Sequence, residues 1–532
     1  MKSLEPESLK EKTLLLTEQY NPNSENIDTL SSLEIVDLFN REDAYVLGAV
    51  RSEREKIAKV IDWSVASIES GGRLIYVGAG TSGRLGVLDA AECPPTFGTN
   101  PSPIVAIIAG GERAVTNPIE NVEDNMNDGE QDIDSISINS NDVIIGLSSS
   151  STTPYVHGAL KKSKEKGAKT VLLTATNVLQ TYTHVDLILT FLTGPEIITG
   201  STRLKAGTAT KLVLNIISTG VMTKLGKTYG NLMADLAISN VKLLDRAIRI
   251  VENITGRDYE NSKILLKQAG HNVKTAIAMD FLNLNQEKAL AVLKENHYKL
   301  RNILNRPHKK NQSIKAVLFD MDGTILRYGL RKGYSTWAAL GQAYGIFEEM
   351  EKWVAEYLSG EKSYESIWKR CADYLKGKST AKAEAVLFPL SGLPPTSRGF
   401  QECVEILKPH YKLGIVSSGL SYVAQKILAT YGFDFQVSNV IGIKDGVFDG
   451  SYQVKVPFNH KVEVVKQVCS ENKLDLKEVC FVGDSTNDEE VLASVGLPIA
   501  YRPTKSSVTR AAQGHTVNDF FYIPKTIESK RN

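Results

Sequence analysis

Gly71–Gly98 reads GGRLIYVGAGTSGRLGVLDAAECPPTFG, and its first half decides the fold class. The apolar run Arg73–Val77 is strand-sized. Gly78-Ala79-Gly80-Thr81-Ser82-Gly83 breaks it before a stretch with helical spacing. The pattern recurs outward. Pro103–Ala109 ends in Gly110-Gly111, Asp142–Leu147 ends in four Ser, and Lys169–Thr174 and Leu187–Phe191 follow. Near-continuous apolar strands alternating with helical stretches predict a parallel sheet covered on both faces. Lys205–Leu304 then reads as helix. A second β/α region begins at Lys315–Phe319, runs into DMDGT, crosses a helical stretch over Tyr334–Leu387, and returns to strands at Leu413–Val416 and Val479–Val482. Between the two regions Asn305–Ser313 (NRPHKKNQS) is polar, basic and aperiodic, and reads as a linker.

The expected fold is therefore α/β: two doubly wound parallel-sheet domains with a helical subdomain between them. Residues 1–57 form a helical segment and 58–221 the first sheet domain. Residues 222–304 are helical, 305–313 link, and 314–532 form the second sheet domain, with a helical insert at about 328–400.

The 532 residues exceed what one core serves, about 250–300. With 42% hydrophobic and 23% charged residues, the composition excludes a disordered or fibrous chain. Lys+Arg at 62 against Asp+Glu at 61 leaves a net charge of +1, without the basic excess of a nucleic-acid binder. No apolar run approaches the ~20 residues of a membrane span. The opening MKSLEPESLKEK lacks a signal-peptide core. Five scattered Cys fit reduced thiols and predict a cytoplasmic location.

In parallel sheets ligands sit at the carboxyl ends of the strands. Here those ends carry Thr81, Ser82 and Gly83, and the cluster Ser148, Ser149, Ser150, Ser151, Thr152, Thr153. Backbone N–H groups and hydroxyls at a helix start cradle a phosphate. Ser, Thr and Gly also serve as caps and turns, but two clusters at equivalent strand ends favour a phosphate pocket. The stretch Gly78–Gly83 matches G-x-G-x-x-G as well. A dinucleotide site wants an acidic residue at the end of the next strand, where this chain has Gly110-Gly111. Glu92, beside Pro94-Pro95, and Glu123, in IENVEDN, are two carboxylates that could remove and deliver a proton; the alternative for each is a solvated surface charge.

Three stretches, Thr17–Ile35, Gly71–Gly98 and Gly194–Asn215 (GPEIITGSTRLKAGTATKLVLN), resemble the N-acetylmuramic acid 6-phosphate etherases, and the likeness runs over about Leu14–Leu304. The resemblance implies a sugar isomerase (SIS) phosphosugar-binding fold with a helical C-terminal part, and cleavage of the D-lactyl ether to N-acetylglucosamine 6-phosphate and D-lactate. It makes Glu92 the proton donor and Glu123 the second catalytic Glu. It implies no metal or organic cofactor, and a dimer. One position departs: the family's second phosphate loop reads A-S-G-R-T-P-Y, and here Thr152 replaces the Arg.

In the second region Asp320-Met321-Asp322-Gly323-Thr324 ends a strand, and Gly483-Asp484-Ser485-Thr486-Asn487-Asp488 follows another. Two carboxylates two residues apart can share a cation while one attacks a phosphate. Ser417-Ser418-Gly419 and Lys461 lie between them in sequence. This order resembles the haloacid dehalogenase (HAD) phosphatases, in their phosphoserine-phosphatase-like branch, over about Lys315–Tyr522. The resemblance makes Asp320 the nucleophile and Asp322 the general acid/base. Ser418 and Lys461 hold the phosphate. Asp320, the Asp322 carbonyl and Asp484 bind Mg²⁺, supported by Asp488, and the helical insert becomes the cap. The acid that phosphoserine phosphatases carry soon after the first motif is missing from ILRYGLRKGY.

The expected whole is a bifunctional enzyme for small phosphosugars, with neither nucleic acid nor membrane as partner. The alternative from another class is a sugar-phosphate sensor of the glucokinase-regulatory-protein kind, which shares the SIS fold without turnover. Keeping both Glu92 and Glu123 in their motifs favours catalysis.

Overall fold

The computed structural model describes residues 15–99, 103–178, 181–305, 310–330 and 333–529. The first fourteen residues of the expected N-terminal segment, and residues 306–309 of the expected linker, lie outside this set. Contacts divide the chain into two units, residues 1–244 and 245–532.

The first unit is built on five parallel strands in the order β2-β1-β3-β4-β5. They are β1 Leu74–Gly78, β2 Ile104–Ile108, β3 Val143–Leu147, β4 Lys169–Thr174 and β5 Leu187–Thr190. β1 and β3 are buried along their whole length, as central strands covered on both faces must be. Alternation sorts β1 between two cores. Leu74 and Tyr76 pack with Val213, Ile217 and Val221 of the Lys205–Lys224 helix. Ile75 and Val77 pack with Val156, Ala159 and Leu160 of the Pro154–Glu165 helix.

Asp89 fixes the rotation of the Gly80–Phe97 helix. Its buried carboxylate accepts from Tyr76 Oη at 3.0 Å, Asn215 Nδ2 at 2.7 Å and Ser218 Oγ at 3.1 Å. Three neutral donors satisfy the charge where an unpaired carboxylate would be costly.

The second unit contains seven strands in the order β12-β11-β10-β6-β7-β8-β9. They are β6 Ala316–Phe319, β7 Lys412–Leu420, β8 Phe435–Lys444, β9 Val447–Gln453, β10 Val479–Gly483, β11 Leu497–Tyr501 and β12 Thr516–Val517. The expected parallel sheet needs one correction, because β8 and β9 form an antiparallel hairpin at one edge. The signal was Asp445-Gly446 between two apolar runs, the strongest short-range hairpin mark. Asp445 and Gly446 both take positive φ there. Four helices, Thr336–Tyr344, Phe347–Leu358, Tyr364–Leu375 and Ala381–Leu387, occupy the insert between β6 and β7.

The helices between Val241 and Leu304 belong largely to this second unit. Asp280 shows why. Arg257 Nε reaches its carboxylate at 2.6 Å, Tyr522 Oη donates to it at 2.8 Å, and Lys525 Nζ donates to its carbonyl at 3.0 Å. No helix among the described residues is long and apolar enough to cross a membrane.

Candidate active sites

In the first unit β1 and β3 are neighbours, so their carboxyl ends bring both hydroxyl clusters together. Ser82 Oγ lies 3.3 Å from Ser149 Oγ. The Gly80–Phe97 helix starts at Gly80, and its N-cap residue Ala79 supplies no side-chain acceptor. The first turn thus has no side-chain cap and lies at the positive end of the helix dipole. Thr81 and Ser82 are part-exposed on that turn. Gly83 has a different role from the expected one: its N–H donates to the Ala79 carbonyl at 3.1 Å. A Cβ there would sit 2.7 Å from the Gly78 oxygen, so Gly83 serves close helix–strand packing.

The second loop is shaped by hydroxyls and by a cluster behind it. Ser148 Oγ pairs with Thr153 Oγ1 at 2.8 Å, and Ser150 Oγ with Thr152 Oγ1 at 3.2 Å. Ser151 takes a left-handed φ of 62°. Its carbonyl meets His157 Nε2 at 2.7 Å and Tyr182 Oη at 3.0 Å. The carbonyl accepts, so Nε2 of His157 carries the proton. Its Nδ1 then accepts from His184 Nε2 at 3.0 Å. Burial holds both imidazoles below the ordinary histidine range. Sequence reading missed this trio, because nothing local marks residues that meet only in the fold.

The two glutamates are both exposed, and the Glu123 turn packs against the Pro154–Glu165 helix that follows the second loop. Glu92 is exposed on the Gly80–Phe97 helix. It lies ten residues beyond Ser82, about 15 Å along the axis. Glu123 is exposed on the short turn Val122–Asp124. Among the described residues no hydrogen bond joins either carboxylate to the hydroxyl loops.

In the second unit the strand ends gather a denser set. β6 and β10 are adjacent, which sets Asp320 beside the Asp484–Asp488 loop. Lys461 Nζ bridges Asp320 Oδ1 at 2.7 Å and Asp488 Oδ1 at 2.6 Å, all three nearly sealed from solvent. Asp488 Oδ2 accepts from the N–H groups of Asp484 and Ser485, each at 3.1 Å. Asp322 turns the other way. Its two oxygens accept from Thr336 N at 2.8 Å and Thr336 Oγ1 at 2.7 Å, at the start of the first insert helix. Gly323 has φ of 92°, and a Cβ there would lie 2.3 Å from Asp484 Oδ2. Ser418 Oγ accepts from Asn487 Nδ2 at 3.1 Å, and the Ser418 carbonyl from Asn439 Nδ2 at 3.1 Å.

Oxygens of Asp320, Asp484 and Asp488 lie within 4.8 Å of one another. Burial and mutual repulsion hold Asp320 and Asp484 well above the usual carboxylate range, with Lys461 opposing. Three buried carboxylates against one ammonium leave negative charge uncompensated, and a hard divalent cation with oxygen ligands suits that deficit. Burial pushes Asp322 up to about 6, against its two hydrogen bonds from Thr336.

A cavity of about 560 Å³ opens above Asp320 and Asp322. Its walls include Trp337, Trp368, Tyr357, Tyr364 and Phe458, which sequence reading did not single out.

The comparisons with known proteins divide along the same line. The family described as "Glucokinase regulatory protein N-terminal SIS domain" matches residues 56–164, and "haloacid dehalogenase-like hydrolase" matches 314–496. The N-acetylmuramic acid 6-phosphate etherase of Trichodesmium erythraeum is 51% identical over 294 residues, covering 55% of this chain and 96% of the relative. That of Crocosphaera subtropica is 50% identical over 295 residues, covering 56% and 97%. A solved "Phospho-Aspartyl Intermediate Analogue of Phosphoserine phosphatase" is 25% identical and covers 41% of this chain and 99% of that one, with a TM-score of 0.34.

Proposed function

The chain belongs to the N-acetylmuramic acid 6-phosphate etherase family through its N-terminal half, with a HAD hydrolase domain fused behind it, and we propose that one polypeptide cleaves the lactyl ether of a phosphosugar and removes phosphate from an amino-sugar 6-phosphate. The observation that carries the first activity is the contact of Ser82 with Ser149, which makes one cradle of two hydroxyl loops.

The 6-phosphate sits in that cradle, held by Thr81, Ser82, Ser148, Ser150, Thr152 and Thr153 and by the helix N-terminus. In the open-chain sugar the C1 aldehyde acidifies the C2 proton. Glu123 removes it, the C3–O bond breaks, and Glu92 protonates the departing lactate oxygen. Water then adds at C3 as a proton returns to C2. Glu92 lies about 15 Å from Ser82 along its own helix, farther than a hexose reaches from its 6-phosphate to C3. In this reading a second copy of the chain supplies Glu92. Leu88, one turn before it, is 52% exposed, and Ile216 is 43% exposed, as a surface for that partner requires.

In the phosphatase Lys461 holds Oδ1 of Asp320, leaving Oδ2 to attack phosphorus. The P–O bond to the sugar breaks and Asp322 protonates the leaving oxygen. Asp322 then takes a proton from the water that hydrolyses the aspartyl phosphate. Ser418 and Lys461 position the phosphate. Asp320, Asp484 and the Asp322 carbonyl would hold Mg²⁺, which when bound neutralises phosphate charge. The five cysteines are buried and unpaired, consistent with a reducing cytoplasm.

The test is the full chain with N-acetylmuramic acid 6-phosphate and Mg²⁺, assayed separately for D-lactate and inorganic phosphate. Both should appear. Tight sugar-phosphate binding without lactate release would make the first unit a sensor.

A further inference from the structure

Along the Phe347–Leu358 helix, Phe347, Met350, Val354 and Leu358 line the cavity at helical spacing, with Glu351 among them. Trp337 and Trp368 meet edge to face across the wall, ring centroids 4.2 Å apart. Such a surface covers the C–H faces of a ring and gives little to a small zwitterion. Glu351 is the one charged residue of the cap in the described lining. Apart from the phosphate site itself, the described lining meets a ligand with aromatic and aliphatic side chains, the hydroxyl-bearing Tyr334, Ser335, Tyr357 and Tyr364, and one exposed carboxylate.

We infer that the phosphatase selects a ring-bearing phosphomonoester with no second anion, and that Glu351 is the residue that rejects one. This rests on the amino-sugar reading above and resolves the choice it left open. N-acetylmuramic acid 6-phosphate carries a lactyl carboxylate, and the etherase product does not. The phosphatase then acts after the etherase, on N-acetylglucosamine 6-phosphate. That order preserves the 6-phosphate until the ether is cut.

The experiment uses the full chain carrying Glu92→Gln, with absence of lactate release verified, so that each sugar stays intact. Phosphate release is measured with both sugars and with p-nitrophenyl phosphate as a small reference. In this background kcat/KM for N-acetylglucosamine 6-phosphate should exceed that for N-acetylmuramic acid 6-phosphate by roughly tenfold, the scale of one like-charge contact near a surface. Glu351→Gln should narrow the ratio and Glu351→Lys should bring it to unity or invert it. Equal kcat/KM for the two sugars, or a ratio unmoved by both substitutions, overturns the inference and leaves the amino-sugar reading standing. Turnover of p-nitrophenyl phosphate with neither sugar accepted overturns that reading, and this inference with it.

Discussion

At the end of β6 the chain seals Asp320, Asp488 and Lys461 from water and brings Asp484 to their edge. At the ends of β1 and β3 it gathers neutral hydroxyls and free helix N–H groups, while Glu92 and Glu123 stay exposed. Both sites use the same position in a parallel sheet, but only the second unit buries its candidate reactive charges. Buried charges are costly unless paired, and they arrive pre-oriented. The first unit leaves its two candidate carboxylates exposed and avoids that cost.

The largest effect should come from Asp320→Asn. Without its nucleophile the second unit should lose phosphate release by on the order of 10⁴-fold or more, with lactate release unchanged. Since burial holds the Asp320 carboxyl well above the usual carboxylate range despite its ion pair with Lys461, the same substitution should raise the unfolding temperature in EDTA. A fall in that temperature would show that the Lys461 ion pair outweighs the cost of burying the charge.

Glu92→Gln should slow lactate release by ~10²–10⁴-fold, the usual weight of a general acid, and spare turnover of p-nitrophenyl phosphate. The contrast sharpens by mixing. Glu92→Gln and Ser82→Tyr chains, each inactive as an etherase, should recover about a quarter of normal activity when co-assembled as a symmetric dimer. No recovery would place Glu92 and the cradle in one subunit.

A smaller effect is expected from acid. His157 is held neutral by burial, below its ordinary value of about 6.5. The unfolded loop binds a proton near that value and the folded loop does not. Stability is therefore lost as pH falls below about 6.5. Hydrogen exchange across Ser148–Thr153, corrected for intrinsic rate, should show protection falling by at most about tenfold between pH 7.5 and 5.5. His157→Gln should flatten the dependence; an unchanged slope would remove His157 from the loop's support.

How much of this was legible depended on whether the signal was local. Strand, Gly-rich turn and helix are contiguous, so β1, β3 and β6 and the loops they carry could be read directly. The Asp445-Gly446 hairpin is an equally local signal. Thr336 on Asp322, His157 and Tyr182 on Ser151, and Asp89 on Asn215 are pairings that only the fold makes. The cap cavity is harder still, since its aromatic wall is drawn from Trp337 to Phe458. The separation of Glu92 from Ser82, by contrast, follows from helical rise once both are on one helix.

The smallest expected effect tests the neutral cradle itself. Thr152, where the etherase resemblance expects Arg, is part-exposed, with its hydroxyl and its N–H both on Ser150 Oγ. Arg84, on the adjoining helix, gives its Nε to the Val115 carbonyl and its Nη2 to the Asn117 carbonyl, each at 3.0 Å. Its charge is spent on shaping that loop. Thr152→Arg should then add one charge-assisted contact to the phosphate. Because the phosphate is held alike before and during elimination, the gain belongs in binding: KM for N-acetylmuramic acid 6-phosphate should fall about two- to tenfold with kcat unchanged. Added salt should shrink the gain, as it does for any partly exposed ion pair. A rise in KM instead would mean that the Ser150–Thr152 contact sets the loop's shape, and that this cradle binds phosphate by geometry and dipoles in place of charge.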